Sequence, residues 1–150
     1  MIEVEIEDEA WLADLPNAEA VAAQAAEIAL QSAHPGGDLV TVLLTSDEAV
    51  RDLNARFRGK DAPTNVLSFP APQSARPHLG DIALAYGVCA REAGDQGKPL
   101  AHHLAHLVAH GVLHLLGYDH EREEEAVEME ALERRILAGL GVPDPYEAAA

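Results

Sequence analysis

The chain has 150 residues, 48% of them hydrophobic and 24% charged, and its 26 acidic against 10 basic side chains leave a formal net charge of −16. That length supports one domain with one core, that composition excludes wholesale disorder, and that charge disfavours nonspecific binding to a duplex, whose phosphates it repels. No stretch approaches the roughly 18 apolar residues of a membrane span, the acidic start MIEVEIEDEA is no signal peptide, and the single Cys89 excludes a disulfide framework, so a cytoplasmic protein is expected.

In chain order, Ile2, Val4 and Ile6 alternate with Glu3, Glu5 and Glu7, which predicts a strand over Ile2–Glu7 with one wet face. Pro16 and Asn17 open an Ala-rich helix to about Ala33, with Val21, Ala25, Ile28 and Ala29 as its stripe, stopped by Pro35-Gly36-Gly37. The nearly continuous apolar run Asp38–Thr45 reads as a buried strand. Ser46 is the expected N-cap of a helix to about Arg56, with Asp47 and Glu48 in its first turn. Arg58–Thr64 is a polar turn, Asn65–Phe69 a short strand, Pro70–Pro77 a surface loop and Gly80–Tyr86 another strand. A helix over Tyr86–Asp95 ends near Gly94 and Gly97. Pro99 suits the first turn of the next, which runs to about Leu116 and stops at Gly117. The last helix spans about Arg122–Leu140, packing Val127, Met129, Leu132 and Ile136, and the tail after Pro143 is expected to fray. Strands interleaved with helices imply one α+β domain, layered like an α/β protein, over residues 1–150.

Six of the eight histidines lie between positions 102 and 120. His110 and His114 are one helical turn apart, about 40° around the axis and about 6 Å along it, which suits two imidazoles on one zinc ion. Gly117 turns the chain so that His120 can reach the same ion. H-x3-H-x2-G-x2-H is the ligand spacing of the metzincin peptidases. Three protein ligands leave one open position for a zinc-bound water, the arrangement of a catalytic ion. The rival register His102, His106 and His110 extends over about 12 Å, too far for one ion. His103 and His106 lie near the same face as His110 and are candidates to orient a ligand or meet substrate. Asp81 either orients a histidine or caps a strand. His34 and His78 are expected in loops without a specific role. One residue departs from the peptidase pattern: Gly111 stands where those enzymes carry the glutamate base.

The segments HGVLHLLGYDH (110–120), PTNVLSFP (63–70), LGDI (79–82) and LNARFRGKD (53–61), with the acidic last helix and DPY near the end, resemble the YbeY family of bacterial zinc-dependent endoribonucleases implicated in ribosomal RNA maturation. The resemblance implies a small mixed, mostly parallel sheet of about four strands flanked by helices. It places the metal-ligand roles on His110, His114 and His120, with one zinc per chain, and the family's functional arginine on Arg58. Nothing is carried onto the loop PAPQSARP (70–77).

The chemistry of these residues agrees. Zinc lowers the pKa of bound water toward about 7, and Arg58, or Arg56, can pair with the phosphoryl oxygens as their charge grows. Thr64, Asn65 and Ser68 either hydrogen-bond the substrate backbone or serve as turn and strand residues. The glutamates of 121–135 form a solvated face or a docking surface for a basic ribosomal protein. The expectation is a metal-dependent endoribonuclease that cuts single-stranded RNA in small-subunit rRNA maturation and ribosome quality control. Its expected partners are rRNA precursors and the small ribosomal subunit or its proteins, with no DNA and no membrane. The alternatives are a zinc-dependent peptide or amide hydrolase and a non-catalytic assembly factor with a structural zinc.

Overall fold

In the computed structural model, which describes residues 1–33, 38–118 and 122–146, the alternation at the N-terminus forms β1 (Ile2–Ile6), with Glu3 and Glu5 exposed. It pairs in parallel with β2 (Leu39–Thr45), which pairs in parallel with β4 (His78–Ala85). β3 (Val66–Pro70) closes the other edge antiparallel to β4, giving the order β1-β2-β4-β3. The sheet is mixed, mostly parallel and four-stranded, as expected.

The helices are α1 (Ala10–Asp14), α2 (Ala18–Ala33), α3 (Asp47–Arg58), α4 (Tyr86–Asp95), α5 (Leu100–Leu115) and α6 (Glu123–Gly139). Strand alternation divides the core. Val40, Val42, Leu44, Ile82 and Leu84 join the core containing α2 and α5, while Ala83, Ala85 and Leu67 pack with Val50 of α3 in a smaller cluster. The buried face of α2 carries Ala18, Ala22, Ala25, Ala26 and Ala29, small side chains that let it lie close against α5. Gly111 does the same for α5 against the sheet. A Cβ there would meet Ile82 Cγ2 at 2.9 Å, Ile82 Cδ1 at 3.1 Å and Ser68 Oγ at 3.2 Å. Ser46 caps α3 by accepting from the Ala49 N–H at 3.1 Å.

Several boundaries and one tail differ from expectation. Residues 8–15 have no expected element, yet Ala10–Asp14 among them form α1, anchored by a fully buried Trp11 whose indole N–H donates to the Thr45 carbonyl at 3.0 Å. α3 continues two residues past Arg56 to Arg58, ending at Gly59 with φ +69°, and α5 gives way to Gly117 with φ +97°. His78 is no loop residue: it opens β4 and lies 3.1 Å from Asp81. His34 lies outside the described residues. Val127 is 62% exposed and faces solvent; the buried side of α6 is Met129, Leu132, Glu133, Ile136 and Leu137. The segment after Pro143 does not fray as far as it is described. Asp144 accepts from Arg134 at 3.0 Å, and Tyr146 packs against His106 with ring centroids 5.5 Å apart.

Candidate metal centre

α5 is helical because its apolar positions recur at helical spacing, and Leu104, Val108, Val112 and Leu113 are buried along it. That packing fixes the rotation of the helix and brings His106, His110 and His114 up one side. The His110 and His114 rings are 4.5 Å apart between centroids, whereas those of His106 and His110 are 6.2 Å apart. The Nε2 atoms of His110 and His114 approach to 2.9 Å.

Behind His110 stands Glu133 of α6, which is 0% exposed. Its Oε1 lies 2.7 Å from His110 Nδ1, and its Oε2 lies 3.0 Å from His106 Nε2 and accepts the Tyr146 hydroxyl. Burial by itself would raise the Glu133 pKa. The hydrogen bonds from His106, His110 and Tyr146 outweigh it and hold the carboxyl down at about 2, so Glu133 is a carboxylate at neutral pH. Burial, the hydrogen bond to Glu133 and the nearby Glu130 carboxylate push the Tyr146 hydroxyl up, which keeps it a donor.

His106, His110 and Glu133 therefore form a group that could hold a metal ion, their ligand atoms all within 4.8 Å of one another. The hydrogen-bond geometry gives these residues separate tasks. An ionised carboxylate only accepts, so His110 Nδ1 carries a hydrogen, and in the neutral ring Nε2 is the nitrogen that can take a metal. His110 Nε2 is turned to the side where His114 Nε2 lies 2.9 Å away. Two imidazole nitrogens brought together this way, one with its tautomer set by a carboxylate, fit a zinc ion. His120, the third residue of the expected ligand set, lies outside the described residues.

On that side of α5 is a cleft of about 330 Å³, whose lining includes Arg58, Asn65, Ser68, Pro70, His110 and His114. Arg58 reaches it from the end of α3, where its guanidinium donates to the Ser68 carbonyl at 2.8 Å. The Ser68 hydroxyl in turn donates to the Gly111 carbonyl at 3.2 Å. Of the basic residues gathered here, Arg51 is paired with Asp61 at 2.8 Å and Arg56 with Asp52 at 3.3 Å. Arg58 meets no carboxylate among the described residues and lies 5.7 Å over the Phe69 ring. A larger hollow of about 530 Å³ near the start of α5, lined by Lys98, His102, His106 and Asp144 among others, includes neither Arg58 nor His114.

The other expected site residues separate. Asp81 lies on the face of β4 opposite Ile82, away from α5, and its ion-pair partner is His78, so it orients none of the α5 histidines. His103 turns toward α4 and contacts Glu92 at 2.9 Å, and Glu92 also accepts from Asn65 at 3.0 Å. His106 belongs with Glu133, on the side of His110 away from the cleft. Glu133 was the residue missed. It sits in a glutamate-rich helix, and its one distinguishing signal is its place between buried Leu132 and Ile136 on the apolar face.

Residues 3–141 match the family model described as Endoribonuclease YbeY. A protein of that name from Rhodopseudomonas palustris is 57% identical over 96% of this chain and 80% of its own length. One from Nitrobacter hamburgensis is 51% identical over 96% of this chain and 80% of its own. The solution structure of a Thermotoga maritima protein superposes with a TM-score of 0.60 at 26% identity, covering 98% of this chain and 99% of the other.

Proposed function

Since the chain belongs to the YbeY endoribonuclease family, we propose that it cuts single-stranded RNA in the maturation of small-subunit ribosomal RNA and in ribosome quality control, as one catalytic domain in the cytoplasm. The observation that carries the assignment of the site is the cleft shared by Arg58, His110 and His114.

In this reading His110, His114 and His120 hold one zinc ion per chain. A zinc ion held there supplies Lewis acidity and lowers the pKa of water at its open position. Glu133 keeps the hydrogen on His110 Nδ1 and so keeps Nε2 available for the metal. Arg58, which meets no carboxylate among the described residues, pairs with non-bridging phosphoryl oxygens as negative charge builds on them. The hydrogen bond from Arg58 to the Ser68 carbonyl anchors its guanidinium at the cleft wall. The net charge of −16 opposes the many phosphate contacts of a duplex. A single strand can bend one phosphodiester down to recessed imidazoles. The exposed Glu123, Glu124 and Glu128 on α6 suit a basic protein of the small subunit as the docking partner.

Peptide-bond hydrolysis is the weaker reading. The position of the peptidase base is Gly111, where even a Cβ would crowd Ile82.

The test is elemental analysis of purified protein together with cleavage of a defined RNA strand and its perfect duplex. The expected result is about one zinc per chain, cleavage of the single strand that is lost on chelation and restored by zinc, and slower cutting of the duplex. His114→Ala should lose the metal and His34→Ala should keep it. Unchanged zinc content in His114→Ala would overturn the ligand assignment, and equal rates on both RNA forms the strand preference.

A further inference from the structure

Phe57 is 64% exposed at the end of α3, between Arg56 and Arg58. Its ring meets Phe69 edge-on, with centroids 5.7 Å apart. The Arg56 guanidinium lies 5.6 Å from the Phe57 ring, and that of Arg58 lies 5.7 Å from the Phe69 ring. Two aromatic rings and two guanidinium groups thus form one continuous patch, and Arg58 belongs both to this patch and to the cleft with His110 and His114. The other exposed large hydrophobics differ. Met1 begins the chain, Leu12 and Val127 are aliphatic, and Tyr146 is engaged with His106 and Glu133.

We propose that Phe57, with Arg56 beside it, is a stacking subsite for an unpaired RNA base next to the phosphate held at Arg58. The proposal rests on the reading of this chain as an RNA-cutting enzyme and adds where the strand lies. An exposed aromatic face offers a base the same π-surface as its neighbours in a stack, without regard to sequence. Arg58, which meets no carboxylate among the described residues, supplies the positive charge that the adjacent phosphate needs, while Arg56 shares its charge with Asp52, on a chain that is strongly acidic. A duplex has its bases already stacked and cannot offer one to Phe57, so the subsite itself favours single strands.

The experiment measures equilibrium binding of a fluorescein-labelled, short 2′-O-methyl oligoadenylate by anisotropy, on the zinc-loaded full chain. Phe57→Ala should weaken binding at least about fivefold, the lower end for loss of one stacked base. Phe57→Trp should bind at least as tightly as wild type, and Val127→Ala, exposed on α6, should bind as wild type does. On an abasic strand of the same length, wild type and Phe57→Ala should bind alike, because the ring then has no partner. Equal affinity of wild type and Phe57→Ala for the oligoadenylate overturns the proposal and leaves Phe57 to a protein partner. A difference that persists on the abasic strand overturns stacking as its cause. Binding is read without cleavage, so a wild-type protein that cuts no RNA would refute the nuclease reading while this comparison still decides the subsite.

Discussion

Glu133 and His110 are joined by a 2.7 Å hydrogen bond between α6 and α5, across 23 residues of sequence. The carboxylate fixes a hydrogen on Nδ1, so in the neutral ring the nitrogen left for a metal is Nε2, which faces His114. The candidate metal centre is therefore supported from a helix that contributes no imidazole.

Glu133→Gln keeps the size of the side chain but presents either a weaker acceptor or a competing N–H to His110. Zinc affinity should fall about 10- to 100-fold, as read by competition with a chromophoric chelator. A folded Glu133→Gln protein with wild-type zinc affinity would show that His110 needs no carboxylate behind it.

Arg58→Ala should retain metal and fold, because the side chain is exposed and its protein hydrogen bond is to a carbonyl. Single-turnover RNA cleavage should drop by about 10²–10³, the usual loss when a charge-stabilising donor is removed. Arg58→Lys should recover only part of it, since an ammonium lacks the two-pronged geometry. Undiminished cleavage by Arg58→Ala would remove this arginine from the reaction.

Gly111→Ala should destabilise the fold by about 1–3 kcal/mol, the cost of overpacking, because its Cβ would meet Ile82 Cγ2 at 2.9 Å. Gly111→Glu restores the peptidase base in sequence but has no room in space. It should unfold at much lower urea and cleave no peptide. A stable Gly111→Glu variant with peptidase activity would revive the hydrolase alternative.

His103 is 3% exposed, and burial lowers its pKa despite the hydrogen bond to Glu92. Its Nδ1 has no partner among the described residues, as expected of a buried neutral ring. The unfolded chain therefore takes up a proton on this residue at a higher pH than the folded chain does. The contribution of neutral His103 is complete above the unfolded pKa of about 6.5 and is lost as pH falls below it toward the folded value. Urea midpoints of wild type should decline between neutral and mildly acid pH more steeply than those of His103→Gln. Parallel declines would mean that His103 does not contribute to that slope.

The strand at Ile2, the cap at Ser46 and the helix through His110 and His114 were legible because each depends on near neighbours. Period-two alternation, a side-chain oxygen three residues before an N–H, and a spacing of four are local quantities. The Arg58 reading came from resemblance, and α1 escaped because Trp11 is held by Thr45 and Tyr86, both distant in sequence. Asp81 stayed open between orienting a histidine and capping a strand for a related reason. Both faces of β4 are largely buried, so a carboxylate there reveals its partner only when it is known which side α5 covers.

The amino-acid sequence by itself determined the ordering of strands and helices, the pairing of two imidazoles on one helical face, and the exclusion of the peptidase base at Gly111. Only the tertiary structure decided that β3 brings Ser68 under Arg58, that Arg58 opens on His110 and His114, and that Glu133, one glutamate among many, is buried behind the candidate metal site. Spacing along a helix fixes which side chains share a face, but which carboxylate meets that face depends on how α6 packs across α5. That choice is made by burial of Met129, Leu132, Ile136 and Leu137 in the shared core, a property of the whole fold and not of any short segment.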